Sequence, residues 1–228
     1  MFENVDIIEL VLVLGAIYFG GIIHEIGHAW AALRFGDETA REMGRITLNP
    51  IPHFDFLMSF IVPVVLLIST GVPFGGMKPV PVNPYNFDNY DDWKSYRRAD
   101  ITVSLAGPAF QIGFSIIFFA VFLLLSPIIN IGSYAFYFFF YGFIANVGIA
   151  FFNLIPIPPL DGSHVFKYFL PTEHRLTYLK AGRSIGMFGV GAFVIFGGAA
   201  WVLGPIRMIV SDLFIWAYMH LSLAVLIG

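Results

Sequence analysis

There is no cysteine anywhere in the chain. Disulfides and thiolate metal sites are thereby excluded, and any metal must be held by His, Asp or Glu. Charge is scarce as well. Only 12% of the 228 residues are charged, against roughly 25% in a soluble domain, which is too few to face water on every side. A basic stripe is missing, so nucleic acid is not expected as a partner, and the net charge of −3 singles out no other. The N-terminus, Met1-Phe2-Glu3-Asn4-Val5-Asp6, is acidic where a secretory leader is basic, and no small-residue cleavage site follows. The first apolar run is therefore expected to be retained. Internal repeats and low-complexity linkers are also lacking.

What is abundant is apolar surface: 58% of residues are hydrophobic and the mean hydropathy is +0.80. The runs Ile7–Ile23, Ile112–Leu125, Ala135–Leu154 and Leu213–Ile227 approach or reach the roughly 20 residues that cross a bilayer. The expected fold is an all-α polytopic membrane protein with about five transmembrane helices, near Val5–Leu33, Ile101–Leu125, Ser133–Leu154, Ser184–Leu203 and Ile206–Ile227. A sixth apolar segment, Phe56–Val72, is short and interrupted by Pro63. Between the helices, Arg45–Asn49 has β-like content, and the alternating prolines of Pro73–Pro84 enforce an extended backbone. Together they predict a small β-hairpin-like insertion on the cytoplasmic side, whose segments Arg45–Asn49 and Lys78–Asn83 could pair with an incoming strand. The whole of 1–228 reads as one membrane-embedded domain, with a core over 5–162 and C-terminal helices over 184–227.

Basic residues set the orientation. Arg34, Arg41, Arg45, Lys78, Lys94, Arg97 and Arg98 precede the span at Ile101, and Lys167, Arg175, Lys180 and Arg183 follow the span at Ser133–Leu154. The positive-inside rule places both groups in the cytoplasm and the acidic N-terminus outside. That arrangement requires Phe56–Val72 to dip into the membrane and return, which is permitted where its backbone is buried in protein.

The first span carries His24-Glu25-Ile26-Gly27-His28. Residues four apart share a helix face, so both imidazoles can reach one ion. Glu25, one position round, can hold a water and take its proton, which is the zincin arrangement. The same pattern arises by chance in soluble helices. In a membrane span a carboxylate costs about 2.5 kcal/mol or more at the bilayer centre and is usually functional. His28 and His24 lie about 9 and 15 Å before Arg34 along the axis, inside the hydrocarbon layer and nearer the cytoplasm. A catalytic zinc needs a third protein ligand and an open position. Asp161 leads the candidates: it follows Asn153-Leu-Ile-Pro-Ile-Pro-Pro-Leu160 on the same side as His28, with Gly162 permitting a turn. A plain loop aspartate at a membrane edge is the alternative.

His-Glu-x-x-His in the first core helix, then Ala106-Gly107-Pro108, then Asn153-x-x-Pro-x-x-Pro-x-Leu-Asp161-Gly162 closely resembles the site-2 protease family. Gly44–Asp55 and Pro73–Pro84 are similar to its compact prokaryotic branch, which lacks a PDZ domain. The resemblance runs from about Gly21 to Gly162. It implies one zinc per chain held by His24, His28 and Asp161, with Glu25 as base and Asn153 positioning substrate or stabilising the oxyanion. It further implies a multi-pass protein of a prokaryotic cell membrane, cutting a membrane-protein substrate in or near its transmembrane helix, with its active site towards the cytoplasm. Two positions depart from the family pattern. Gln111 stands where a Ser or Asn is usual after Ala-Gly-Pro, and Gly75-Gly76-Met77 replaces an expected aromatic before Lys78.

The remaining polar residues take plainer readings. His53 and Asp55 are expected to be structural loop residues, and His174 a solvated one. Pairing or interface placement is expected for Asp212 and His220, and packing for Tyr134–Tyr141. His164 could support a ligand. The rival function is a non-proteolytic zinc-binding membrane module, a transporter or scaffold. An intact Glu25 argues against it, because a structural metal needs no base.

Overall fold

The computed structural model describes residues 6–65 and 75–227. Helix α1, Ile7–Arg34, starts where the Asp6 side chain accepts from the amides of Ile8 and Glu9, and ends with Arg34 in its last turn and Gly36 at φ +95°. A four-residue α2, Thr39–Glu42, follows. Helix α3, Trp93–Leu125, is capped by Asp92, and α4, Tyr134–Asn153, by Ser133. A six-residue α5 begins at Asp161 (Asp161–Phe166), ahead of α6, Thr172–Ile195, which is kinked where Gly186 takes φ +48°, and α7, Gly198–Ile227.

Among the described residues three helices are long and apolar enough to cross a membrane: α1, α3 with its 3₁₀ extension to Ile128, and α4. They pack on one another and form the frame of the molecule. Small residues let the backbones approach, as is usual in lipid, where packing rather than water expulsion draws helices together. A Cβ on Gly27 would lie 2.6 Å from the Ala106 carbonyl, and one on Gly142 would lie 2.9 Å from the Ala16 Cβ. Helix α7 joins through an aromatic cluster, in which Phe214 stacks on Phe122 of α3 with centroids 4.4 Å apart and also meets Phe140 and Phe143 of α4. The packing role expected of Tyr134–Tyr141 is thus observed, with Tyr134 additionally donating to Asp6 at 2.6 Å.

Two expectations need correction. The C-terminal helices divide at Phe196-Gly197, where Gly197 takes φ +81°, and not between Leu203 and Ile206. Pro205 lies inside α7 instead, as prolines in membrane helices can when neighbours satisfy the freed backbone groups. The count of five spans is accordingly not reproduced among the described residues.

The expected hairpin does not form either, since no strand occurs among the described residues. The stretch 77–83 is extended but spends its amides elsewhere. Lys78 donates to the His53 carbonyl (3.0 Å), Val80 to Oε2 of Glu25 (2.7 Å) and Asn83 to Oδ2 of Asp37 (2.7 Å). Pro79 and Pro81 have no amide to offer. The Arg45 guanidinium donates to the Lys78 carbonyl at 2.7 Å, so 45–49 braces this strap from the side without laddering to it. At its far end, burial pushes the Asp37 carboxyl up, but donors from Thr39, Asn83 and Asn86 outweigh that and hold it below the ordinary carboxylate value.

The segment expected to re-enter, Phe56–Val72, falls outside the described residues beyond Val65. Its described part is a short apolar helix, Phe56–Val65, whose first turn is π-helical and capped by Asp55. The Gly76 amide donates to the Met58 carbonyl (2.9 Å) and Ser59 Oγ donates to the Gly76 carbonyl (2.8 Å). Met58 and Ser59 near the start of this helix thus lie side by side with Gly76.

Candidate metal centre

His24 and His28 stand one turn apart on α1, and both are buried. Asp161 reaches them from the start of α5. Its Oδ2 lies 3.1 Å from His24 Nε2 and 3.3 Å from His28 Nε2, and the two Nε2 atoms are 3.0 Å apart. These three groups form a cluster able to hold one metal ion.

The approach of Asp161 depends on local backbone. Prolines 156, 158 and 159 end α4, and Gly162 then presses so closely under it that a Cβ there would sit 2.1 Å from the Leu154 carbonyl. Beyond α5, the buried Lys167 ammonium contacts Asp100 Oδ2 at 2.6 Å, and the Tyr168 hydroxyl donates to the same oxygen at 2.8 Å. Asp161 is thereby tied to α3 as well as to α4. Space over the imidazoles comes from Gly107, where a Cβ would fall 2.3 Å from His28 Nε2 and 2.8 Å from His24 Nε2.

The outer ring nitrogens decide where the protons sit. His28 Nδ1 is 2.8 Å from the Val103 carbonyl, in the stretch of α3 just ahead of the ladder-breaking Pro108. A carbonyl can only accept, so Nδ1 carries a proton, and in the neutral ring Nε2 is the nitrogen that presents the lone pair. His24 Nδ1 is 3.1 Å from Gln111 Oε1, which has the same consequence. Both Nε2 atoms and a carboxylate oxygen thus converge, with Asp161 Oδ2 buried against the two rings. Such a donor set matches the two-nitrogen, one-oxygen ligand set of an open zinc site.

The other singled-out residues separate from this cluster. Glu25 accepts from the Val80 amide, and Asn153 donates to the Ile149 carbonyl of its own helix at 3.1 Å. His164 Nδ1 lies 3.7 Å from Asp100. His53 is fully buried and its Nε2 meets the Thr47 carbonyl (3.0 Å), while His220 bonds the Trp216 carbonyl within α7. Sequence reasoning missed the Val103 carbonyl and Asn146; it placed Gly107 in the Ala-Gly-Pro motif and Val80 in the extended segment Lys78–Asn83 without the roles they take here. Asn146 carried a signal of its own, as a lone amide inside an apolar span.

Helices able to cross a bilayer, enclosing two histidines and a carboxylate beside a glutamate, define the class: a membrane-embedded metallopeptidase. Comparison with known proteins agrees, since the sequence pattern of peptidase family M50 matches residues 126–197. The chain is 35% identical to Putative zinc metalloprotease YwhC of Bacillus subtilis, over 70% of this chain and 69% of that one. It is 31% identical to Putative zinc metalloprotease Rip2 of Mycolicibacterium smegmatis over 67% of this chain, a match spanning about half (54%) of that relative. Identity is 26% to Putative zinc metalloprotease MJ0611 of Methanocaldococcus jannaschii, over 73% of this chain and 75% of the relative. No solved structure matches. The chain belongs to peptidase family M50, the site-2 protease family.

Proposed function

We propose that this protein is an intramembrane zinc metalloprotease that hydrolyses a peptide bond within or near the transmembrane segment of a membrane-protein substrate. The observation that carries the reading is the convergence of His24 Nε2, His28 Nε2 and Asp161 Oδ2 within 3.3 Å of one another. These residues would hold one zinc per chain. When bound, zinc supplies Lewis acidity towards the scissile carbonyl and brings the pKa of a water towards 7.

The chain's own residues do the rest. Glu25 lies one residue, about 100°, round α1 from His24. It accepts the proton of the attacking water and delivers it to the leaving amine. Asn153, where α4 ends, is assigned to the substrate backbone or the developing oxyanion, which requires its amide to leave the Ile149 carbonyl. A substrate helix must unwind before its carbonyl is available, because its peptide groups are bonded internally. The basic loops on either side of the α3–α4 pair support a prokaryotic cell-membrane protein with the site towards the cytoplasm. The meeting of Gly76 with Met58 and Ser59 supports re-entry of the segment between them. The reading takes 1–228 as one protease domain.

The test is zinc content and cleavage of a single-span substrate in detergent. About one zinc per chain is expected, with cleavage lost to a chelator and restored by zinc. His24→Ala, His28→Ala and Asp161→Ala should each lower zinc content. Glu25→Gln should keep zinc and lose roughly 10²–10⁴ in turnover. Asn153→Ala should keep zinc and lose about tenfold or more. Full zinc loading of Asp161→Ala would remove it from the ligand set, and a zinc-loaded protein that cleaves nothing would favour the transporter or scaffold reading.

A further inference from the structure

Gln111 and Asn146 are fully buried, neither belongs to the proposed ligand set, and they touch each other. Gln111 Nε2 donates to Asn146 Oδ1 at 3.2 Å, and Asn146 Nδ2 donates to the carbonyls of Ala16 (3.1 Å) and Gly142 (2.8 Å). Buried amides in an apolar bundle are costly unless satisfied, so a chain of two calls for an account.

The direction of the chain can be worked out from its fixed end. Backbone carbonyls only accept, so the edge of Asn146 that faces Ala16 and Gly142 must be its NH₂. Its oxygen is then turned to Gln111, which must answer with its own NH₂ and turn its oxygen to His24. His24 must in consequence donate from Nδ1, 3.1 Å away, leaving the Nε2 lone pair facing Asp161 and His28. No link can be reversed without setting two donors or two acceptors against each other. The relay is also sterically built in. Asn146 occupies a notch that α1 opens at Gly20, where a Cβ would lie 1.6 Å from Asn146 Oδ1. The longer reach of Gln111, compared with Ser or Asn, is what spans from α4 to the ring on α1.

We infer that Gln111 and Asn146 are positioning residues that fix the tautomer and ring orientation of His24, and so set the metal affinity of the site. The inference rests on the reading of His24 as a zinc ligand. Partners of this kind usually influence metal affinity by 10–100-fold.

The experiment is zinc affinity of the full-length protein in detergent, by competition with a chromophoric chelator, with helix content and thermal unfolding of the zinc-free protein followed in parallel. Gln111→Met and Asn146→Leu should each weaken zinc binding by about 10–100-fold. Gln111→Glu separates positioning from packing. A carboxylate accepts from His24 Nδ1 through either oxygen and needs no partner to orient it. Affinity should therefore be recovered to within a few-fold of wild type, and adding Asn146→Leu to Gln111→Glu should change it no further. A packing role predicts the opposite, with Gln111→Glu damaging and Asn146→Leu equally harmful in either background. Wild-type affinity in Gln111→Met would overturn the relay while leaving the zinc reading intact. A wild-type protein that binds no zinc would overturn both.

Discussion

The backbone amide of Val80 donates to Oε2 of Glu25 at 2.7 Å. A strap from outside the helices thus holds the group proposed as general base, and it is seated along α1 by Met77 against Gly21 and by Val80 against Ala29. Val80→Pro deletes the amide within a stretch that is already extended between prolines, whereas Val80→Ala retains it. Turnover should fall about tenfold or more in the proline variant, as befits a mispositioned catalytic group, with zinc content unchanged and Val80→Ala near wild type. Equal activity of the two variants would detach the strap from the function of Glu25.

Gly107 has to be glycine because the imidazoles occupy the place of a side chain. Gly107→Ala should abolish zinc binding, the added methyl lying 2.3 Å from His28 Nε2 on a buried backbone. Gly113→Ala on the same helix meets nothing within 4 Å and should leave zinc unchanged, with a gain of up to about 1 kcal/mol in helix stability. Zinc content and thermal unfolding of the pair check this directly.

Lys167 and Asp100 are both buried and 2.6 Å apart. Removing one charge of such a pair strands the other, at a cost of about 3–5 kcal/mol. Lys167→Ala should therefore lower the unfolding temperature in detergent. It should also reduce zinc occupancy, since the turn that bears Lys167 follows directly on the helix that starts at Asp161. An unchanged occupancy would show that Asp161 is held by Gly162 and the prolines alone.

Topology is open to direct labelling in a chain without cysteine. Asp91 and Ile131 are exposed, before α3 and between α3 and α4 respectively. Asp91→Cys should react only with reagent that reaches the cytoplasm, and Ile131→Cys only from outside. The reverse pattern would invert the proposed orientation of the site.

The ligand histidines were legible because a spacing of four is a property of one helix, and a carboxylate beside them in an apolar run has few other reasons to be there. Asp161 needed the motif resemblance, since nothing in its own loop says which helix it will face. Gln111 registered only as a departure from the family pattern. Its partner Asn146 and the notch at Gly20 belong to helix packing, which hydropathy does not encode. The hairpin was misread for a related reason: β-like composition marks an extended backbone, but the carboxylates of Glu25 and Asp37 compete for its amides. The spans expected at Ser184–Leu203 and Ile206–Ile227 divide instead at Gly197, because hydropathy does not mark where a glycine takes a positive φ.

Because Asp161 starts α5 while the histidines ride on α1, a cation held by all three would be a cross-link between segments widely separated along the chain. Two of its anchors ride on one rigid helix, while the third hangs from a six-residue helix after a proline turn. Binding would therefore close a long loop, and its free energy would be shared between occupancy and the cohesion of the bundle. Metal loss should then register far from the chemistry, as easier proteolytic nicking around 155–170 and a lower unfolding temperature. On that view the ion is a fastener of the membrane frame as much as a reagent.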